Sequence, residues 1–460
     1  MSDKPDQITL EGWDSRYEEL LRKGLAEPWY GGPLRRHAQE GDLRLCMMEF
    51  DNSAAALRLW NFLLTEEERL HRARGEGKKI VGVMKDLGTI PVMAYSLPDT
   101  VAFYPDGAWW IPCIKQMKTD MLTVADSLGI DDSFCPVRAM VGAFLTGKHF
   151  PLPDLLTCSV GATCDDFSAI ASRLESMGFP VLWWEIPHRR EPSAGEPSLS
   201  RPEGKRVAKA HLDFVRSELE RVKAALESLA GSRLTEKLMT SGIRKANAIR
   251  RLLDELRFLV FTARKCPLPS LELLIAEMLA IHFCSDREET AHVLRDLLRE
   301  VKRRVKAGEG TGRADAARVF WVNPVADLRA MNLMEKCGAR ICGTDYLFFH
   351  ALDEIPEDMP PMEALAFMAL MDPMVGTASE RALRILHEMK KYGAEGLVIS
   401  RIPGASHCAT EGAIIRSIVQ KEGNYPVVEI EVPPLSDSLA PALHTSLEAL
   451  VEMIWRRRQD

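Results

Sequence analysis

Two stretches of the chain alternate short apolar runs with segments in which apolar residues recur at helical spacing. In the first stretch the short runs cover residues 79–83, 100–104, 155–160 and 180–186. In the second stretch they cover residues 318–322, 339–342, 396–400 and 427–432. Strands that alternate with helices indicate a parallel sheet covered by helices on both faces. The pattern therefore predicts two α/β lobes of similar architecture.

The remaining parts of the chain predict helices rather than strands. Residues 1–75 are amphipathic at helical spacing and carry no strand signal, and residues 206–306 are almost purely helical in pattern. Segments rich in Pro, Ser and Gly, 188–205 and 308–314, are typical of linkers. We predict an α/β protein with two Rossmann-like (flavodoxin-like) parallel-sheet lobes, an intervening helical segment and an N-terminal helical arm. The predicted boundaries are 1–75 for the arm, 76–195 for the first lobe, 196–314 for the linker and helical segment, and 315–460 for the second lobe.

Composition narrows the classes of function. The 460 residues carry 46% hydrophobic residues and a net charge of −7, which is typical of a globular protein and disfavours a nucleic-acid or membrane-surface binder. No apolar run approaches the ~18 residues that a membrane helix needs, and the polar start has no signal region. We therefore expect a cytoplasmic protein. Its ten cysteines are too few for a disulfide scaffold, so they are core residues, ligands or nucleophiles.

Three cysteines share one predicted setting, at the start of a helix. Cys135 precedes a proline suited to a first helical position, and Cys164 lies between a strand and an acidic helix start. Cys408 also follows a strand and opens a helix. In open α/β sheets ligands bind at the carboxyl ends of strands, and helix N-termini favour thiolates. Three thiolates with one open position would suit an iron–sulfur cluster, while inert buried cysteines remain the alternative.

The segments around these cysteines resemble the 2-hydroxyacyl-CoA dehydratase and benzoyl-CoA reductase family. Phe134-Cys-Pro-Val-Arg138 resembles its first cysteine motif, although proline stands where serine is common, and Thr163-Cys-Asp165 resembles its Cys-Asp motif. Residues 396–434 resemble the third-cysteine region. Further similarity lies in residues 247–264, the prolines at 267 and 269, and residues 319–345.

The resemblance implies a fold of two lobes plus a helical segment, and it also implies a cofactor and partners. It implies a [4Fe-4S] cluster on Cys135, Cys164 and Cys408 in a D-component-type subunit of a 2-hydroxyacyl-CoA dehydratase or an aromatic acyl-CoA reductase. The chemistry implied is low-potential one-electron (ketyl radical) chemistry on a CoA thioester. The implied partners are the acyl-CoA substrate, a homologous second subunit in a hetero- or homodimer, and a separate ATP-dependent iron–sulfur activator. The chain itself has no G-x-x-x-x-G-K-[ST] phosphate loop, which agrees with that division of labour.

Several alternatives stay open at this point. The chain could be a double-cubane reductase of small molecules, which needs about six cysteine ligands, or a non-catalytic electron-relay subunit. The additional candidates for ligands, or else core residues, are Cys113, Cys158, Cys337 and Cys342. His407 could serve the cluster or be solvated, and Arg138 could face the cluster, face a CoA phosphate or form a surface ion pair. The basic runs 302–304 and 456–458 are interpreted as solvated helix ends. No acid–base residue stands out.

Overall fold

The computed structural model describes most of the chain. The described residues are 4–25, 31–38, 44–86, 88–115, 120–201, 206–282, 285–346, 349–434 and 437–459. The side chains of residues 282, 349, 350 and 407–409 also lie outside the description. Within the described residues, no helix is both long and apolar enough to cross a membrane.

The described residues form short strands and mostly longer helices. The strands are β1 (Gln7–Ile8), β2 (Phe50–Asp51), β3 (Lys79–Met84), β4 (Thr100–Phe103), β5 (Leu155–Gly161), β6 (Val181–Ile186), β7 (Ser198–Ser200), β8 (Arg206–Ala208), β9 (Ala317–Val322), β10 (Ala339–Asp345), β11 (Gly396–Arg401) and β12 (Val427–Glu431). The helices of the first half are α1 (Leu10–Arg22), α2 (Ala54–Leu64), α3 (Glu66–Gly75), α4 (Ile90–Ser96), α5 (Gly107–Lys115), α6 (Asp120–Ser127), α7 (Ala139–Thr146), α8 (Asp165–Ser176) and α9 (Lys209–Ala230). Those of the second half are α10 (Glu236–Thr262), α11 (Ser270–His282), α12 (Arg287–Ala307), α13 (Arg329–Lys336), α14 (Pro361–Leu370), α15 (Ala378–Tyr392), α16 (Ser406–Gly423) and α17 (Ala440–Arg457).

Two four-stranded parallel sheets confirm the predicted fold class. Their strand orders are β4-β3-β5-β6 and β10-β9-β11-β12, so each sheet places its second strand outside its first and its third on the other side. This is the flavodoxin-like order, and all eight strands predicted from the apolar runs are present. In such a sheet the strand order reverses between the first and third strands, and ligands bind outside the carboxyl ends there.

Helices α10, α11 and α12 connect the two sheets. Prolines 267 and 269 separate α10 from α11, as expected of residues that cannot continue a helix. Helix α10 contacts α4 of the first lobe and β10 of the second, so the helical segment packs against both lobes. One hydrophobic core runs through the lobes, the helical segment and the arm.

The N-terminal segment and the linker contain more β-structure than predicted. Strands β1 and β2 form an antiparallel pair where no strand was expected, and β7 pairs with β8 at the end of the predicted linker. The arm is anchored by a buried ion pair between Asp51 of β2 and Arg304 of α12, with side chains 0% and 1% exposed. The interpretation of Arg304 as part of a solvated helix end was therefore wrong, because its side chain lies on the inward face of α12.

Candidate functional site

A cavity of about 130 Å³ lies where the carboxyl ends of both sheets face each other. We call it the interlobe cavity. The first lobe contributes Lys85, Trp109, Trp110, Cys135, Cys164 and Asp166, the helical segment contributes Leu274, Met278 and Ile281, and the second lobe contributes Val325, Met374, Ile402 and Ala405. The site is therefore built from three parts of the chain, and two of the three predicted cysteines line it.

Cys135 lies at the start of a short 3₁₀ turn, Pro136–Arg138, that leads into α7. Cys135 has an extended backbone and is 7% exposed, and the proline after it lacks the N–H that a first helical residue cannot use. Arg138 stabilises this turn, since its Nη1 donates to the Phe134 carbonyl at 3.1 Å and its guanidinium pairs with Asp126 at 3.3 Å. Arg138 is thus a buried side chain in an ion pair with a half-exposed partner, rather than a member of a surface pair.

Cys164 is the N-cap residue of α8 and follows the third strand of the first sheet. Its Sγ lies 3.7 Å from Oδ2 of Asp166, in the first turn of the same helix. Burial raises the pKa of the Cys164 thiol to about 11, and the nearby Asp166 carboxyl raises it further, against the opposing effects of Lys85 and two backbone N–H groups. The free thiol is therefore protonated at neutral pH, and a metal would have to displace its proton.

Asp166 connects the two lobes. Its Oδ2 accepts a hydrogen bond of 3.0 Å from the backbone N–H of Ser406, the first residue of α16. The N-cap residue of α16 is Ala405, whose side chain cannot cap, so a carboxyl from the first lobe satisfies an orphan N–H of a second-lobe helix. Burial raises the pKa of Asp166, while its hydrogen bonds with Ser406 oppose that rise.

A second contact brings the cysteine loops together. Gly404, with φ of 76°, lies so close to Phe134 that a Cβ at this position would be 2.5 Å from the Phe134 carbonyl carbon. The loop that precedes α16 therefore packs on Phe134, the residue before Cys135. The first residue of α16, Ser406, is hydrogen-bonded to Asp166, which lies two residues after Cys164. The two cysteine-bearing segments of the first lobe and the start of α16 therefore meet at one place.

The third predicted ligand is described only in part. Cys408 is the third residue of α16, and its side chain, like that of His407, lies outside the described residues. Among the side chains that are described, no group of three His, Cys, Asp or Glu residues is arranged to hold a metal ion. The structure thus brings together Cys135 and Cys164, and the three-cysteine ligand set stays a prediction.

A buried polar network fixes the second-lobe edge of the site. Arg381, whose side chain is fully buried, donates to Asn323 at 2.9 Å, and pairs with Asp345 at 3.1 Å and Glu411 at 2.6 Å. Asn323 and Asp345 stand at strand ends, and Glu411 lies about one turn after Cys408 in α16. Sequence reasoning missed Arg381, Asp166 and Lys85. The available signal for Lys85 was a polar residue directly after an apolar strand, whereas Arg381 and Asp166 lie within helices and carry no such signal.

None of the four additional cysteines lines the interlobe cavity, although Cys158 is close enough to Cys164 to interact with it electrostatically. Burial raises the pKa values of Cys113 and Cys342 to about 12 and that of Cys337 to about 11, and it also raises the pKa of Cys158 in β5. The buried environments of Cys113, Cys158 and Cys342 are typical of inert core thiols, and Cys337 is only partly buried. Trp109 and Trp110 are buried in the hydrophobic core and also line the cavity, and Trp110 Nε1 donates to the Val325 carbonyl of the second lobe at 3.4 Å.

Comparison with known proteins identifies the family. No curated protein matches the chain. The family model described as 2-hydroxyglutaryl-CoA dehydratase, D-component, matches residues 100–454, which is well over half of the 460 residues and includes all three cysteines of the predicted ligand set. The match runs from the second strand of the first lobe into the last helix of the second. The chain therefore belongs to the 2-hydroxyglutaryl-CoA dehydratase D-component family.

Proposed function

We propose that the chain is the iron–sulfur subunit of a 2-hydroxyacyl-CoA dehydratase or of an aromatic acyl-CoA reductase, with Cys135, Cys164 and Cys408 holding one [4Fe-4S] cluster. One observation carries the proposal. The thiols of Cys135 and Cys164 line a single interlobe cavity, and Asp166 caps the helix that bears Cys408. Membership of a dehydratase component family supports it.

The residues present fit such a cofactor. Cysteine thiolates are the usual ligands of iron–sulfur clusters, and two of the three predicted cysteines already line the same cavity. Three ligands would leave one iron open to a substrate oxygen. When bound, the cluster would supply low-potential one-electron transfer to a CoA thioester. The chain's own part is to fix the thiols through Arg138, Asp166 and Arg381.

The cavity itself selects what can react there. Its walls are mainly apolar, with Trp109 and Trp110 on one side and Leu274 and Met278 on another, so water is poorly accommodated. At about 130 Å³ it is smaller than the roughly 300–1,000 Å³ of common ligand pockets. It therefore accommodates the reacting end of a thioester rather than the whole CoA ester.

We propose the partners that the sequence led us to expect, an arrangement in which one protein carries the substrate site and another hydrolyses ATP. A D-component description supports a complex with other components, and we propose a homologous second subunit together with an ATP-dependent iron–sulfur activator as the electron source. A cytoplasmic location belongs to the same proposal. The double-cubane alternative needs about six thiolates, and the placement of Cys113, Cys158, Cys337 and Cys342 away from the cavity favours a single cluster.

The test is spectroscopic. The chain is purified without oxygen and reduced, and its electron paramagnetic resonance spectrum is recorded before and after addition of a 2-hydroxyacyl-CoA or benzoyl-CoA. We expect an iron–sulfur signal that the thioester perturbs and that Cys164→Ser weakens or abolishes. A cluster signal unchanged by either thioester would contradict a substrate-binding role and favour the electron-relay alternative. Absence of iron from the wild-type chain would contradict the proposal as a whole.

A further inference from the structure

Lys85 occupies the ligand-binding end of the first sheet. It directly follows β3, the first strand, which lies beside β5 at the point where the connections reverse direction. It lines the interlobe cavity with Cys135 and Cys164, is 6% exposed, and has a φ of 47°, in the left-handed region. It also lies upstream of the residues that the family model matches.

The ammonium group of Lys85 is buried, and its one described hydrogen bond uses a weak acceptor. Its Nζ donates to the thioether sulfur of Met374 at 2.8 Å, and a thioether is a weak acceptor for one of three N–H bonds. Within the described part of the chain, no carboxylate forms an ion pair with it, although Asp106 and Asp166 line the same cavity. The neighbouring Asp86 uses its carboxyl oxygens on the N–H groups of Thr89 and Ile90, at 2.9 and 2.5 Å. Burying an ammonium in this way is costly unless an acceptor faces it.

The residue of the second lobe that corresponds to Lys85 has a structural role. Asn323 directly follows β9, the first strand of that sheet, and has a similar left-handed backbone with φ of 69°. Its side chain is committed to its own lobe, donating to the Ser400 carbonyl at 3.0 Å and accepting from Arg381 at 2.9 Å. The equivalent side chain of the first lobe instead carries a positive charge to the cavity wall.

We infer that Lys85 binds the carbonyl oxygen of an acyl thioester in the interlobe cavity and that the acyl group is apolar. This inference rests on the proposed function and specifies its substrate. The cavity that Lys85 lines is mainly apolar and includes Trp109, Trp110, Met278 and Ile281 in its lining, which suits an aromatic or branched aliphatic acyl group. A carbonyl oxygen that gains negative charge is the acceptor that the ammonium lacks, so Lys85 is a specificity-determining residue.

The test compares two ligands that differ only at the carbonyl. Benzoyl-CoA has the thioester oxygen, and S-benzyl-CoA has the same ring and the same CoA without it. Their dissociation constants are measured by anaerobic calorimetry on the cluster-loaded full chain. In the wild type we expect the thioester to bind about 10- to 100-fold more tightly, the range of a hydrogen bond to a charged group. Lys85→Met should reduce this preference by about 10-fold or more, and Lys85→Arg should retain part of it.

A matched control comes from the other end of the same strand. Lys79 is exposed at the start of β3, so Lys79→Met removes one positive charge without touching the cavity, and the preference should stay at the wild-type value. If Lys85→Met does not fold, Lys85→Gln provides a second neutral side chain, which should also weaken the preference. An unchanged preference in the folded neutral variant would overturn the inference and leave the proposed function standing. Failure of the wild type to bind either compound would overturn both.

Discussion

Adding one methyl group at Gly404 tests whether the cysteine loops of the two lobes are held together as described. The new Cβ of Gly404→Ala would lie 2.5, 2.7 and 2.9 Å from the carbonyl carbon, carbonyl oxygen and Cα of Phe134. These are backbone atoms, which cannot rotate away as a side chain would. The loop before α16 must therefore move from the loop that carries Cys135.

The loss of folding stability expected for Gly404→Ala has two contributions. Gly404 has φ of 76°, and placing an alanine in the left-handed region costs about 1–2 kcal/mol. The steric overlap adds about 1–3 kcal/mol, the usual cost of overpacking. Gly231 isolates the first contribution, because its φ is 63° and no atom lies within 4 Å of the position that an added Cβ would take. Gly404→Ala should thus destabilise the chain by at least about 1 kcal/mol more than Gly231→Ala does.

The comparison is made by equilibrium urea unfolding and by iron content after anaerobic purification. We expect Gly404→Ala to lose both stability and iron, and Gly231→Ala to lose only a little stability. Equal losses of stability in the two variants, with iron retained in both, would refute the packing of Gly404 on Phe134 as a determinant of the site.

Two further predictions concern buried carboxyl groups. Asp166→Ala removes the cap from Ser406 and should cost about 1 kcal/mol in urea unfolding, whereas Asp166→Asn, which keeps an oxygen acceptor, should cost less; equal costs would argue against capping. Burial and the neighbouring Asp51 raise the pKa of Glu272 to about 8 in the folded chain, so protonation stabilises the fold and this stabilisation is lost as pH rises from about 5 to 8. Glu272→Gln should therefore gain stability over the wild type across that range, by at most about 5 kcal/mol, and the gain should level off above it; a gain independent of pH would contradict the assignment.

Local sequence patterns were sufficient to predict the strands and the placement of the cysteines at helix starts. The strands are apolar runs bounded by Gly, Pro or Asp, and the acidic residues after Cys164 correctly indicated a helix start, of which the structure makes that cysteine the N-cap residue. The two-residue pair β1–β2 was missed because a strand of two residues is too short to show alternation.

The features that could not be predicted from the sequence depend on contacts between residues that are far apart along the chain. Arg304 looked like one of several solvated cations, and it is buried because Asp51, 253 residues away, meets it. The link from Asp166 to Ser406 spans 240 residues and involves a backbone N–H, which leaves no trace in residue type. Lys85 is recognisable only once the apolar wall and the weak acceptor Met374 surround it.

Iron and acid-labile sulfide per chain, measured after anaerobic purification, test most directly whether thiols from both lobes hold one cluster. The measurement compares the wild type with Cys135→Ser, Cys164→Ser and Cys408→Ser, and with Cys158→Ser as a buried cysteine outside the cavity. We predict about four iron and four sulfide in the wild type and in Cys158→Ser, and a marked loss of both in the other three variants. Wild-type iron in the Cys408→Ser variant would contradict the account.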